Sequence, residues 1–229
     1  DGLGDQLIED LDSLLESEKK RFAGTEIYGK TLGIVGLGAI GSLVANMALD
    51  LGMRVVGYDP AISVEAAWRL SSRVEKMPSL DALLKESDYI TLHVPAIDAT
   101  RGMINSESIS RMKAGVKLLN FARKEIVNAG DIISALDAGK MSSYVTDFPT
   151  PEMIGHAKVI PMPHIGASTG EAEDNCAVMA ADQLIDFLEN GNIKNSVNFP
   201  DTSMARGSEF RLTFRSEEHT SELQSPMYL

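Results

Sequence analysis

Short apolar runs alternate with segments of helical periodicity through most of the chain. The runs fall at 31–35, 54–58, 89–94, 116–121, 141–146 and 158–160, with a weaker one at 73–77. Segments whose apolar residues recur every three or four positions, at 39–51, 64–70, 80–85, 106–112 and 130–138, separate most of them. Buried parallel strands read as near-continuous apolar runs because both faces are covered, and the crossover between two of them is usually a helix. The alternation therefore predicts an α/β fold, a doubly wound parallel sheet of the Rossmann type.

Local punctuation supports these boundaries. Ser79 and Asn105 stand where helix N-caps belong, and Gly52 and Gly139 stand just past helix ends. Helices flank the sheet region on both sides. Residues 5–21 place Leu7, Ile8, Leu11, Leu14 and Leu15 at helical spacing and end in Lys19, Lys20 and Arg21, where the helix dipole favours cations. A longer helix is predicted over 171–189, stopped by Asn190 and Gly191. A further strand is predicted over 210–214. In the helix over 39–51, Ile40, Val44, Met47, Ala48 and Leu51 form one apolar face.

Composition narrows the partners. The 229 residues carry a formal net charge of −12, which repels nucleic acid and anionic membrane surfaces and leaves a small anionic substrate in need of a local basic pocket. No stretch reaches the ~18 apolar residues of a membrane span. The acidic start of the chain is the wrong charge for a leader peptide. The single cysteine, Cys176, rules out an internal disulfide and a thiolate metal cluster, so no metal site is expected; it fits a reducing, cytoplasmic setting, and its apolar neighbours predict a packing role.

The chemistry begins at Gly36-Leu37-Gly38-Ala39-Ile40-Gly41, which follows the first strand and opens a helix. Gly36 makes the tight turn, Gly38 lets a pyrophosphate approach the backbone, and Gly41 lets helix and strand pack closely. The unpaired N–H groups of the helix start, from Ala39 and Ile40 onward, face the phosphates. Asp59, at the end of the second strand, can accept hydrogen bonds from the ribose hydroxyls and would repel a 2′-phosphate, so NAD is expected over NADP.

Four histidines are present. His219 lies in the C-terminal tail and His156 in a polar turn, which leaves His93 and His164, each just after a strand. A hydride-transferring site needs an acid–base group for the alcohol proton, a cation for the substrate carboxylate, and often a carboxylate that keeps the imidazole protonated. His164, Arg123 and Glu152 are residues of those types beyond strand ends.

The ordered set Gly36–Gly41 with Asp59, Leu92-His93-Val94-Pro95 with Thr100, Asn120-Phe121-Ala122-Arg123, Asp147-Phe148-Pro149 with Glu152, and Pro163-His164-Ile165-Gly166 resembles the D-2-hydroxyacid dehydrogenase family over about 29–200. The resemblance implies that Arg123 binds the substrate carboxylate, His164 is the acid–base and Glu152 raises the imidazole pKa. It also implies that Asp147 contacts the nicotinamide carboxamide, and that His93, Val94, Pro95, Thr100, Phe121, Ala122 and Gly166 line the cofactor. Lys124 departs from the pattern, which usually has glycine there, and so puts the backbone beside Arg123 in question.

Asn195-Ser196-Val197-Asn198-Phe199-Pro200 resembles the branch that oxidises 3-phosphoglycerate in serine biosynthesis; hydroxypyruvate and glyoxylate reductases, and corepressor-like NAD-sensing modules, remain alternatives. The implied organisation is an interdomain helix at 1–29, a remnant of the substrate domain, an NAD-binding domain at 30–170 and a helix at 171–200 returning to the substrate domain. After these come a linker with the start of an ACT-like domain at 201–214 and a non-native, adapter-like tail at 215–229. A homodimer or tetramer is expected of the full-length protein, and the chain alone is expected not to turn over, because the rest of the cleft would be missing.

Overall fold

The computed structural model describes residues 11–19, 23–196, 199–205, 207 and 210. Two compact units result, Asp1–His164 and Ile165–Leu229.

The first unit holds seven parallel strands, β1 (Thr31–Val35), β2 (Arg54–Tyr58), β3 (Glu75–Lys76), β4 (Tyr89–Leu92), β5 (Val116–Asn120), β6 (Met141–Thr146) and β7 (Val159–Pro161). Their order in the sheet is β3-β2-β1-β4-β5-β6-β7. Helices α2 (Ala39–Asp50), α3 (Val64–Arg69), α4 (Leu80–Glu86), α5 (Ser106–Arg111) and α6 (Ala129–Asp137) make most of the connections, and α1 (Leu11–Glu18) precedes them. Sequential strands run outward from β1 in one direction and then outward from β4 in the other. The crevice above β1 and β4 is thus the topological switch point where such sheets bind ligands.

Both faces of the sheet are covered, which is why β1 is buried at all five positions. Leu32 and Ile34 point into a core with Ala45, Ala48 and Leu49 of α2, while Val35 joins a second core with Leu83, Leu84, Ile90 and Leu118. The caps form as expected: Ser79 Oγ accepts from Ala82 N, and the Asn105 side chain accepts from the N–H groups of Glu107 and Ser108.

Strand ends differ from the apolar runs where the chain turns into the crevice. β4 stops at Leu92, two residues before the run does, and β5 stops at Asn120, whose side chain folds back to accept from Ala122 N at 3.2 Å. The run at 73–77 reduces to the two-residue β3 on the sheet edge.

The expected apolar face of α2 is corrected. Its buried residues are Gly41, Ser42, Ala45, Ala48 and Leu49, whereas Ile40, Leu43, Met47 and Leu51 are 59 to 66% exposed. Apart from Leu49, small side chains face the sheet because they let the helix approach closely, and most of the large ones are left outside.

The second unit contains α7 (Gly170–Asn190), capped by Thr169 Oγ1 and closed by Gly191 in the left-handed region. No side chain of α7 is buried, and Cys176 is exposed, so its expected packing role is not met. The strand expected over 210–214, the start of the helix at 5–21, Val197, Asn198 and the tail at 215–229 lie wholly or largely outside the described residues. Among the described residues no helix is long and apolar enough to cross a membrane, and no group of three His, Cys, Asp or Glu side chains is placed to hold a metal.

Candidate functional site

The glycine loop is held between β1 and the end of β4. Gly36 has φ +92°, and a Cβ there would lie 2.5 Å from the His93 carbonyl oxygen and 2.9 Å from Val94 Cγ1. A Cβ on Gly41 would lie 2.0 Å from the Gly36 carbonyl oxygen. Neither position accepts a side chain. Gly38, by contrast, faces open space and opens α2 without a side-chain cap, so the unpaired N–H groups at the helix start remain available to an anion.

Asp59 follows β2 and clasps this loop. Its Oδ2 accepts from Leu37 N at 2.8 Å and its Oδ1 from Ala61 N at 2.9 Å, which fixes the carboxylate beside the glycine loop. Replacing it with asparagine removes the negative charge that would oppose a 2′-phosphate. Asp59→Asn is therefore expected to shift the NADH-to-NADPH affinity ratio toward NADPH by about tenfold. Fluorescence titration of both cofactors measures it, and an unchanged ratio would remove Asp59 from cofactor selection.

His93 donates its backbone N–H to Val35 O at 2.8 Å, and its Nε2 lies 3.0 Å from Thr91 Oγ1. Burial lowers its pKa, so it stays neutral where a free imidazole would begin to charge. Thr100 closes the following loop, its hydroxyl bonding to the carbonyls of Pro95 and Ile97 and accepting from Ile97 N.

Beyond β5, a buried polar network positions Arg123. Asn120 Nδ2 donates to Arg123 O at 2.9 Å and to the Tyr144 hydroxyl at 3.2 Å, while Thr146 Oγ1 donates to Asn120 O and accepts from Phe148 N, both at 3.0 Å. Lys124, where the resembling family usually has glycine, opens a 3-10 turn over Lys124–Ile126. Asn195 alone among the described non-glycine residues has a positive φ, so the backbone at Lys124 accepts a side chain without strain.

Phe148 joins the two candidate catalytic groups. Its ring centroid lies 4.5 Å from that of His164, and the Arg123 guanidinium carbon lies 5.7 Å from it. Sequence reasoning did not single out Phe148; the only local signal is an aromatic residue directly after Asp147 at a strand end. Glu152 is not brought onto His164. It is exposed in the 3-10 turn Pro151–Met153. His156 pairs with Asp137 at 3.1 Å, apart from these groups. Gly166 falls in the turn that starts the second unit.

A dinucleotide fits these residues on the structure's own terms. The glycine loop leaves room at Gly38, and the Asp59 carboxylate is held against the loop by Leu37 N. Asp147 Oδ1 is buried without a hydrogen-bond partner among the described residues, and a buried unpaired acceptor costs about 1–3 kcal/mol. An amide N–H donor from a ligand would satisfy it.

Strand order, glycine loop and strand-end acid together define a nucleotide-binding domain of the Rossmann class. The family described as D-isomer specific 2-hydroxyacid dehydrogenase, NAD binding domain, matches residues 5–166, and the chain belongs to it. The D-3-phosphoglycerate dehydrogenase of Synechocystis sp. is 39% identical over 189 residues, covering 80% of this chain and 34% of that protein. The Bacillus subtilis enzyme of the same name is 35% identical over 191 residues, covering 81% and 36%. Among solved structures, a glyoxylate reductase from Paecilomyes thermophila superposes with a TM-score of 0.69 at 26% identity, over 80% of this chain and 58% of that one. An NAD-complexed D-isomer specific 2-hydroxyacid dehydrogenase from Lactobacillus delbrueckii ssp. bulgaricus gives 0.66 at 27%, over 78% and 59%. The chain spans about a third of the length of the curated relatives it matches.

Proposed function

We propose that this chain is the cofactor-binding part of an enzyme that oxidises 3-phosphoglycerate to 3-phosphohydroxypyruvate in serine biosynthesis. The observation that carries the chemistry is the Phe148 ring, which is in contact with both the Arg123 cation and the His164 imidazole. Curated relatives of that name and the 195–200 segment support the substrate.

NAD, when bound, supplies a hydride acceptor. Gly36, Gly38, Ala39, Ile40 and Gly41 would hold its pyrophosphate, Asp59 its ribose and Asp147 its carboxamide, with 93–95, Thr100, Phe121 and Ala122 lining it. Arg123 would clamp the substrate carboxylate through two parallel N–H donors. His164 then takes the hydroxyl proton as the C2–H bond breaks, so the alcohol loses a hydride and a proton and leaves as the 2-oxo acid. Glu152, exposed in the turn Pro151–Met153, would have to swing onto His164 to stabilise the resulting imidazolium. Assay of the protein that carries this chain against 3-phosphoglycerate, glycerate and glycolate tests the reading: preferential oxidation of 3-phosphoglycerate supports it, and preference for an unphosphorylated acid favours a glyoxylate reductase-like enzyme.

The functional form is a homo-oligomer, and the same reading puts it in the cytoplasm, where exposed Cys176 stays reduced. Ile40, Leu43, Met47 and Leu51 present an apolar stripe on α2, with Trp68 of neighbouring α3 also exposed. A two-fold axis that lays α2 against its own copy would bury that stripe. Leu43→Glu with Met47→Glu is expected to convert a dimer into monomer in sedimentation analysis. An unchanged dimer would place the interface elsewhere.

A further inference from the structure

The amino edge of the sheet, opposite the cofactor crevice, carries a cavity of about 140 Å³ with an unusual charge balance. Lys30 precedes β1, Asp88 precedes β4, and Lys113 and Lys117 lie before and within β5, so the topology gathers three ammonium groups and one carboxylate around a single opening. The chain has 33 acidic and 21 basic residues, and several of its cations pair with carboxylates. Arg54 pairs with Glu75 and Glu86, and Arg111 pairs with Asp81 and Glu107. Here the lysines outnumber their acid.

Asp88 is already committed to the wall of the cavity. Its Oδ2 accepts from Thr31 N at 2.8 Å and its Oδ1 from Lys113 Nζ at 2.9 Å. Against the burial that raises it, these two donors and the nearby charge of Lys30 hold the carboxyl below its ordinary range. Lys117, which also lines the cavity, has its Nζ 4.6 Å from the centre of the Tyr89 ring, a contact that uses none of its N–H donors on a carboxylate. Hydroxyl groups of Thr25 and Tyr89, 3.4 Å apart, complete the polar lining.

We propose that this cavity binds a small tetrahedral dianion, a phosphate or the phosphoryl group of a small metabolite, through Lys30, Lys113 and Lys117. The net charge of +2 on its four ionised groups matches a dianion. Its volume holds one phosphoryl group and is too small for a dinucleotide, so this site is separate from the crevice at the other edge of the sheet. It also stands independently of the proposed dehydrogenase reaction.

Inorganic phosphate titrated into the NADH-saturated chain, followed by amide NMR, tests the assignment, because bound cofactor removes the glycine loop as a competing anion site. The expected result is a saturable shift of the amides of Thr25, Lys30, Lys113 and Lys117 that sodium chloride at equal ionic strength does not reproduce. In Lys30→Gln with Lys117→Gln, phosphate affinity is expected to fall by about tenfold or more, while NADH affinity is unchanged. Glyceraldehyde 3-phosphate in a parallel titration separates a free-phosphate site from a phosphoryl site by which ligand binds more tightly. Shifts shared with chloride, shifts absent from these residues, or full affinity in the double variant would overturn the proposal; if the variant does not fold, the wild-type map decides.

Discussion

His164→Gln is expected to lower hydride transfer by about a thousandfold in the protein that carries this chain, within the range of general acid–base catalysis. NADH affinity is expected to stay within about twofold, since the imidazole acts on the substrate hydroxyl rather than on the phosphates or ribose. Glutamine keeps much of the side chain's reach and its hydrogen bonding while removing the titratable proton. The ring contact with Phe148 gives a built-in control. Because His164 packs at 4.5 Å from that ring, loss of the imidazole could disturb Phe148 and, through it, the Arg123 cation. A positional effect of that kind would raise KM for the substrate. Loss of the proton relay lowers kcat and kcat/KM together. Steady-state kinetics separate the two, and a rise in KM alone would remove His164 from the chemical step.

The second large effect is expected at the glycine loop. Gly41→Ala puts a methyl 2.0 Å from the Gly36 carbonyl oxygen, a backbone atom that can move only with the whole turn. Shifting that turn disturbs the Leu37 N–H that Asp59 holds and the start of α2 together, so NADH affinity is expected to fall by about a hundredfold or more. Gly38→Ala is the informative contrast. Nothing lies within 4 Å of its added methyl, so the free protein is expected to keep its melting temperature while NADH binds less tightly, because the only thing the methyl can meet is the ligand. Calorimetry with and without NADH reads both variants. Unimpaired binding by Gly41→Ala would show that the loop does not cradle the cofactor.

The sheet was largely legible because strands buried on both faces leave continuous apolar runs such as Thr31–Val35, and because Ser79 and Asn105 mark helix starts with residues whose side chains do cap. Gly36, Gly41 and Asp59 were legible for a mechanical reason: a side chain at either glycine would clash, and Asp59 pairs the Leu37 amide. Periodicity failed on α2, where apolar residues occupy both faces and only packing decides that Ala45 and Ala48 turn inward while Ile40 and Met47 turn out. Spacing also could not place side chains on turns. Glu152 is the carboxylate that the resemblance places with His164, yet it stands exposed in the turn Pro151–Met153. Phe148 was legible only as part of a motif, since its role comes from what the ends of β5, β6 and β7 bring to its ring.

Transfer of the label from NADH deuterated at C4 to C2 of 3-phosphohydroxypyruvate, measured in the wild-type protein and in His164→Gln, tests the assignment of this site most directly. The expected result is deuterium at C2 in the wild type, with the rate cut by about a thousandfold in the variant. Absence of label in a wild type that binds NADH, or equal rates in the two proteins, would contradict it.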